Sequence, residues 1–248
     1  SLWLVAAFFP PDLQGYFFTF AALSALQVFV ELGLGTVIVQ FAGHEWSRLG
    51  LDDRGAVSGD PAALSRLVSL GRISFLWFSV AGLLGALGLG VFGHVFFSKP
   101  PTAGIEWAWP WYALCISAGC NLCLAPVWAL LEGCNQIARV NTYRFVAAVA
   151  GSLLTWACIA SGGGLWAAAI LVGANAVVGV AFLLTRYRNF FRPFISPPAG
   201  PRISWKRDIL PMQWRIALSW LSGYFIYWIF TPVMFRYHGP VAAGQMGM

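Results

Sequence analysis

Ser24, Gln27 and Glu31 stand three and four positions apart in a run that is otherwise almost wholly apolar from Gly15 to Phe41. On an α-helix that spacing places all three on one stripe. A carboxylate at membrane depth costs roughly 2.5–3.5 kcal/mol on insertion scales, so the stripe is expected to face a polar cavity or a partner helix, not lipid. Glu31 falls about 24 Å along such a helix from Gly15, toward the far end of the crossing. Two roles fit it. It lines a translocation cavity and titrates with a coupling cation, H+ or Na+, or it bonds a neighbouring helix or backbone group.

Similar stripes recur downstream. Ser117, Asn121, Trp128 and Glu132 share a helical face, as do Arg144, Ala148, Ser152 and Thr155. Arg215, Ser219 and Ser222 form another, with Trp220, Tyr224, Tyr227 and Thr231 beside them, and Asn175 lies among small residues. The candidate cavity set is therefore Ser24, Gln27, Glu31, Asn121, Arg144, Asn175, Arg215, Ser219 and Tyr224. For Arg144 and Arg215 a plainer role competes: each sits at a helix end, where snorkelling and orientation suffice. Pro126 and Pro232 are expected to bend their helices, and Gly82, Gly85, Gly88 and Gly151 to allow close helix packing.

Other chemistries lack their residues. Cys115, Cys120, Cys123, Cys134 and Cys158 lie in or beside apolar runs, so the Cys120-x-x-Cys123 spacing reads as packing and not redox. His44, His94 and His238 are scattered, no nucleotide-type glycine loop occurs, and no nucleophile–base or carboxylate pair can be assembled. No enzyme, metal ion or cofactor is expected.

The elements that must carry these residues are membrane spans. The chain is 59% hydrophobic and only 10% charged, and several runs reach the ~20 residues needed to cross about 30 Å of hydrocarbon. Backbone polar groups there have no external partner, so the runs must be helices. Six spans are predicted: Gly15–Phe41, Gly71–Ser98, Trp109–Leu131, Tyr143–Ser161, Leu165–Thr185 and Pro211–Phe235. A half-span, Ser1–Phe9, precedes them, and both chain ends read as cuts through a longer protein. All of the 15 Lys and Arg except Lys99 and Arg236 fall on one set of alternating connections, which places that side in the cytoplasm. The net charge of +6 thus reports orientation, and nucleic acid is not an expected partner. Trp107, Trp109 and Trp111 at one boundary, with Trp205 and Trp214 at the other, suit interfacial belts.

Three regions follow: residues 1–185 as a first transmembrane lobe, 186–210 as a basic cytoplasmic linker, and 211–248 as the start of a second lobe. The linker interleaves arginines with Phe190, Phe191, Phe194 and Trp205, which suits either an anionic inner leaflet or a solvated hinge. Asp52–Asp60 reads as an exposed turn, and Asp60-Pro61 as an N-cap with a first-turn proline. Pro11 to Gly15 is echoed by Pro240 to Gly244, 229 positions later on the same outer side. An even number of crossings between them makes the repeat parallel, about the membrane normal.

Gly15-Tyr16-Phe17 leading into Glu31-Leu32-Gly33-Leu34-Gly35 resembles the second helix of polysaccharide flippases in the multidrug/oligosaccharidyl-lipid/polysaccharide exporter superfamily. Leu131-Glu132-Gly133 through Asn141 and Arg144 is similar to the loop between their fourth and fifth helices. Gln213-Trp214-Arg215 and Gly239-Pro240 to Gly244-Gln245 resemble their seventh and eighth. The resemblance implies an all-α bundle of two six-helix lobes, of which this chain holds most of the first and the start of the second. It further implies flipping of a polyprenyl-diphosphate-linked oligosaccharide across the bacterial inner membrane by alternating access, for cell-surface polysaccharide synthesis. Contact with a polysaccharide polymerase or glycosyltransferases would go with that role. On this reading the arginines hold diphosphate, through their two-pronged hydrogen bonding, while aromatics and amides meet sugar rings.

Two alternatives remain beside it. A cation-coupled exporter of small organic molecules would favour an acidic cleft. A non-transporting scaffold for a polysaccharide-assembly complex would tolerate neutralising Glu31 or Arg215. A membrane glycosyltransferase or polymerase would need a larger polar loop with carboxylates than the short outer connections provide.

Overall fold

A computed structural model describes residues 2–31, 33–98 and 104–247. Among them, six helical stretches are long and apolar enough to cross a membrane: Pro11–Glu31, Pro61–Phe97, Ala108–Gly133, Ile137–Ala160, Trp166–Arg186 and Arg207–Gly247. The chain is an all-α, multi-pass membrane protein. In order, the elements are α1 Leu2–Phe8, α2 Pro11–Ser24, a 3₁₀ turn Ala25–Gln27, α3 Val28–Glu31, α4 Leu34–Trp46 and a small hairpin, β1 Leu49–Leu51 with β2 Val57–Gly59. The long helices α5 Pro61–Phe97, α6 Ala108–Gly133, α7 Ile137–Ala160 and α8 Trp166–Arg186 follow. Short turns, including α9 Arg188–Phe191 and a π-helical turn Trp205–Ile209, lead into α10 Leu210–Tyr227 and α11 Phe230–Gly247.

Apolar burial does not drive helices together in lipid, so close approach and internal hydrogen bonds must do it. Gly82 and Gly119 meet backbone to backbone between α5 and α6; a Cβ on either would lie 2.9 Å from the other's carbonyl oxygen. Asn121 Nδ2 spans from α6 to α8, donating to the Val172 carbonyl at 2.8 Å. Leu83, Leu84, Leu87 and Val91 stay exposed, the surface a hydrocarbon solvent would cover. At the outer end Tyr16, Phe20, Phe97, Trp111 and Phe235 form one aromatic cluster.

Several sequence expectations change here. The run Gly15–Phe41 is not one rod: its helix begins at Pro11, tightens at Ala25–Gln27, stops at Glu31 and restarts after Gly33 at φ 67°. The Ser24–Gln27–Glu31 spacing thus crosses three elements. α5 starts at Pro61, well before Gly71, with the expected cap: Asp60 Oδ1 accepts from Ala62 N at 3.1 Å. The turn at Asp52 is the tip of the antiparallel hairpin, its Oδ1 accepting from Arg54 N and Ala56 N.

Trp111 is core, not belt, fully buried with its Nε1 donating to the Leu89 carbonyl at 3.2 Å. Pro232 sits in the first turn of α11, four residues past Trp228, and the predicted span is interrupted at Trp228–Ile229, where a proline leaves the carbonyl four residues back without its helical donor. The last predicted span divides after Tyr227, and the chain turns again at Gly239 (φ 86°, ψ 176°). Lys99, placed on the outer side, lies outside the described residues.

The basic connector packs part of its aromatic face into the bundle and leaves its arginines exposed. Tyr187, Phe190, Phe194, Ile203 and Ile209 are buried in a core shared with α4, α5 and α6, while Arg186, Arg188, Arg192, Arg202 and Arg207 point outward. Arg72 Nη1 donates to the Ile195 carbonyl at 3.0 Å, and Ser65 Oγ accepts from Gly200 N at 2.9 Å, tying the connector to α5.

Candidate functional site

The helix break around Gly33 positions a polar cleft. Gly33 takes a left-handed φ and lies directly beneath Ile216, so that a Cβ there would overlap that side chain. Only glycine combines this backbone with this approach. α10 therefore presses on the break, and Glu31, just before it, turns into the space between α4, α6, α7 and α10. Its Oε1 lies over Gly35, 3.1 Å from where a Cβ would stand.

The cleft measures about 410 Å³ and is lined by Glu31, Thr36, Trp128, Glu132, Arg144 and Trp220, with smaller side chains between. That size falls within the usual range of small-molecule sites. On α6, Ala125, Trp128, Ala129 and Glu132 recur at three and four residues, which gives the cleft one continuous wall. Trp128 is fixed by stacking on Tyr143 of α7, with ring centroids 4.0 Å apart and planes 13° apart. The Tyr143 hydroxyl in turn donates to the Asn175 carbonyl on α8 at 3.0 Å.

Arg144 and Glu132 form an ion pair across α7 and α6. Glu132 Oε1 meets the guanidinium there without hydrogen-bond alignment. Side-chain exposures of 55% and 23% make this a solvent-screened pair, weak in stability and open to exchange with another anion. Two carboxylates face one guanidinium, and two indoles flank them.

Of the nine sequence candidates, the cleft gathers Glu31 and Arg144. Asn121 bonds the Ser117 and Val172 carbonyls, and Asn175 Nδ2 donates to the Leu171 carbonyl at 3.0 Å, so both amides serve helix contacts. Ser24 and Gln27 are half-buried at the helix break without lining the cleft. Arg215 is exposed, its guanidinium 5.7 Å from the Trp214 ring centroid, and Ser219 is exposed beside Trp220. Tyr224 is buried, edge-on to Phe29 at 5.1 Å. Thr36, Trp128, Glu132 and Trp220 line the cleft without having been picked as site residues. The Trp128/Glu132 spacing of four on one helical face was the available signal.

At the outer end the two echoed segments touch each other. A Cβ at Gly15 would overlap the Pro240 carbonyl, and one at Gly244 would lie 3.3 Å from the Pro11 carbonyl oxygen. Each glycine receives the other segment's proline, the reciprocal pattern of a two-fold contact.

Comparison with known protein families, with curated proteins and with solved structures finds no match to this chain.

Proposed function

We propose that the protein flips a polyprenyl-diphosphate-linked oligosaccharide across the bacterial inner membrane by alternating access, in the synthesis of cell-surface polysaccharide. The observation that carries this reading is the cleft itself: carboxylates, one exchangeable arginine and two indoles in one membrane-depth space. Indole faces suit the C–H faces of sugars, and carboxylates accept hydroxyl hydrogen bonds. Arg144 would release Glu132 to grip phosphate, since charge-assisted two-pronged bonds are the stronger ones. The reciprocal Pro–Gly contact supports the alternating part, because a two-fold axis along the membrane normal lets two lobes rock about a fixed site. Glu31 is the candidate for the coupling cation.

Purified protein in vesicles should move a fluorescent lipid-linked oligosaccharide between leaflets, and Glu31→Gln should slow this about tenfold without loss of folded protein. Wild-type vesicles that leave the lipid in one leaflet would sink the proposal. One observation favours a second reading. With two carboxylates against one arginine, the empty cleft is formally acidic, which suits export of small organic cations. Such cations, and not lipid diphosphates, would then raise the melting temperature.

A further inference from the structure

A second lipid-facing feature lies away from the cleft, where the cytoplasmic connector meets α5 and α10. Trp77 of α5 and Trp205 of the π-helical turn approach with ring centroids 6.1 Å apart and planes at 32°. A groove opens on each side of this pair. The α10 side holds about 350 Å³, walled by Leu210, Gln213, Trp214, Ala217, Leu218 and Leu221. The α5 side holds about 380 Å³, walled by Ile73, Leu76 and Val80. Both are apolar but for one group. Gln213 is only 6% exposed, lines the α10 groove, and makes no hydrogen bond to any described residue.

The cytoplasmic rim of the grooves is cationic. Arg72 adjoins Ile73, Arg207 follows Trp205 by two residues, and Arg215 lies over Trp214. All three are exposed; Asp208, beside Arg207, is engaged by the Ser204 backbone N–H at 2.8 Å.

We propose that this seam binds one anionic diacyl phospholipid of the cytoplasmic leaflet, its two chains straddling the Trp77–Trp205 pair. Two grooves of nearly equal size on either side of one indole pair match two chains on one glycerol. The Gln213 carboxamide meets the ester region, and Arg72, Arg207 and Arg215 attract the phosphate. A basic rim at the inner leaflet selects for negative headgroups, at about fivefold in affinity per arginine. The lipid would fill the gap between the first-half helix α5 and α10, where the two halves meet.

The probes are dioleoyl phosphatidylglycerol, dioleoyl phosphatidylcholine and single-chain lyso-phosphatidylglycerol, added to the delipidated full chain and followed by native mass spectrometry. One phosphatidylglycerol per chain should be retained, at least tenfold more tightly than either alternative. Arg207→Gln should weaken it about fivefold. Leu218→Trp, which fills the α10 groove from an exposed position, should abolish retention while the protein stays monodisperse. Equal retention of phosphatidylcholine would overturn the headgroup assignment, and equal retention of the single-chain lipid would overturn the two-groove assignment. Retention unaffected by both substitutions would place the lipid elsewhere and refute the site.

Discussion

The two ends of the molecule are closed by opposite chemistry. At the outer end α2 and α11 meet through glycine backbones and an aromatic cluster with no ion pair among the described residues. At the inner end α4, α6, α7 and α10 surround a polar cleft, and the connector is tied by carbonyls, hydroxyls and arginines. The outer closure depends on atoms being absent, the inner arrangement on charges being present. Added side-chain carbon should therefore break the first, whereas removing the cleft arginine should reshape the second with little loss of stability.

The largest effect is expected at the outer contact. Gly15→Leu places carbon where the Pro240 carbonyl stands, and neither backbone can yield, so thermal unfolding in detergent should show a loss of about 3 kcal/mol. An unchanged melting temperature would mean the contact is not closed in solution. Next comes Arg66→Gln. Glu45 is 6% exposed and accepts from Arg66 at 2.8 Å, so losing the cation strands a buried carboxylate. The cost should be about 2 kcal/mol by the same measurement, below the 3–5 kcal/mol of a fully dry pair because Arg66 is 28% exposed.

Arg144→Gln is predicted to cost under about 1 kcal/mol in stability, as for other screened pairs, yet to slow lipid flipping about tenfold in vesicles. A large stability loss with unchanged flipping would reverse the roles assigned to that pair. The smallest change sharpens the contrast with Gly15. Gly88 has open space where its Cβ would go, so Gly88→Ala should stabilise slightly, by up to about 1 kcal/mol of helix propensity.

What the sequence made legible was whatever depends on length and charge. Apolar runs of span length gave the helices, Asp60-Pro61 gave the start of α5, and the Pro–Gly echo gave a pair of segments that do meet. The break at Gly33 was missed because the apolar residues on either side were read as one continuous span, although Gly33 and Gly35 stand two apart beside Glu31 and Gly33 takes a left-handed φ of 67°. The connector's burial could have been found. Tyr187, Phe190 and Phe194 recur at three and four residues, a packing face, while the arginines fall between them. In the cleft, Glu31 and Arg144 were legible as charges in or beside spans. Trp128 was legible only as a neighbour of Glu132 on one helical face, and Trp220 as a neighbour of the Arg215 stripe; aromatic residues are equally at home in lipid, and the orientation of these two is set by Tyr143 and by the docking of α10.

α5 carries one more implication. At 1.5 Å per residue its 37 residues extend about 55 Å, against roughly 30 Å of hydrocarbon. Its Pro61–Arg66 turns therefore extend beyond such a hydrocarbon layer as a stiff mast, with the arginine-rich connector tied to α5 at Ser65 and Arg72. A tilt of about 5° at one end would sweep the opposite tip by roughly 5 Å, so motion on one side of the bundle reaches the other as displacement of a charged surface.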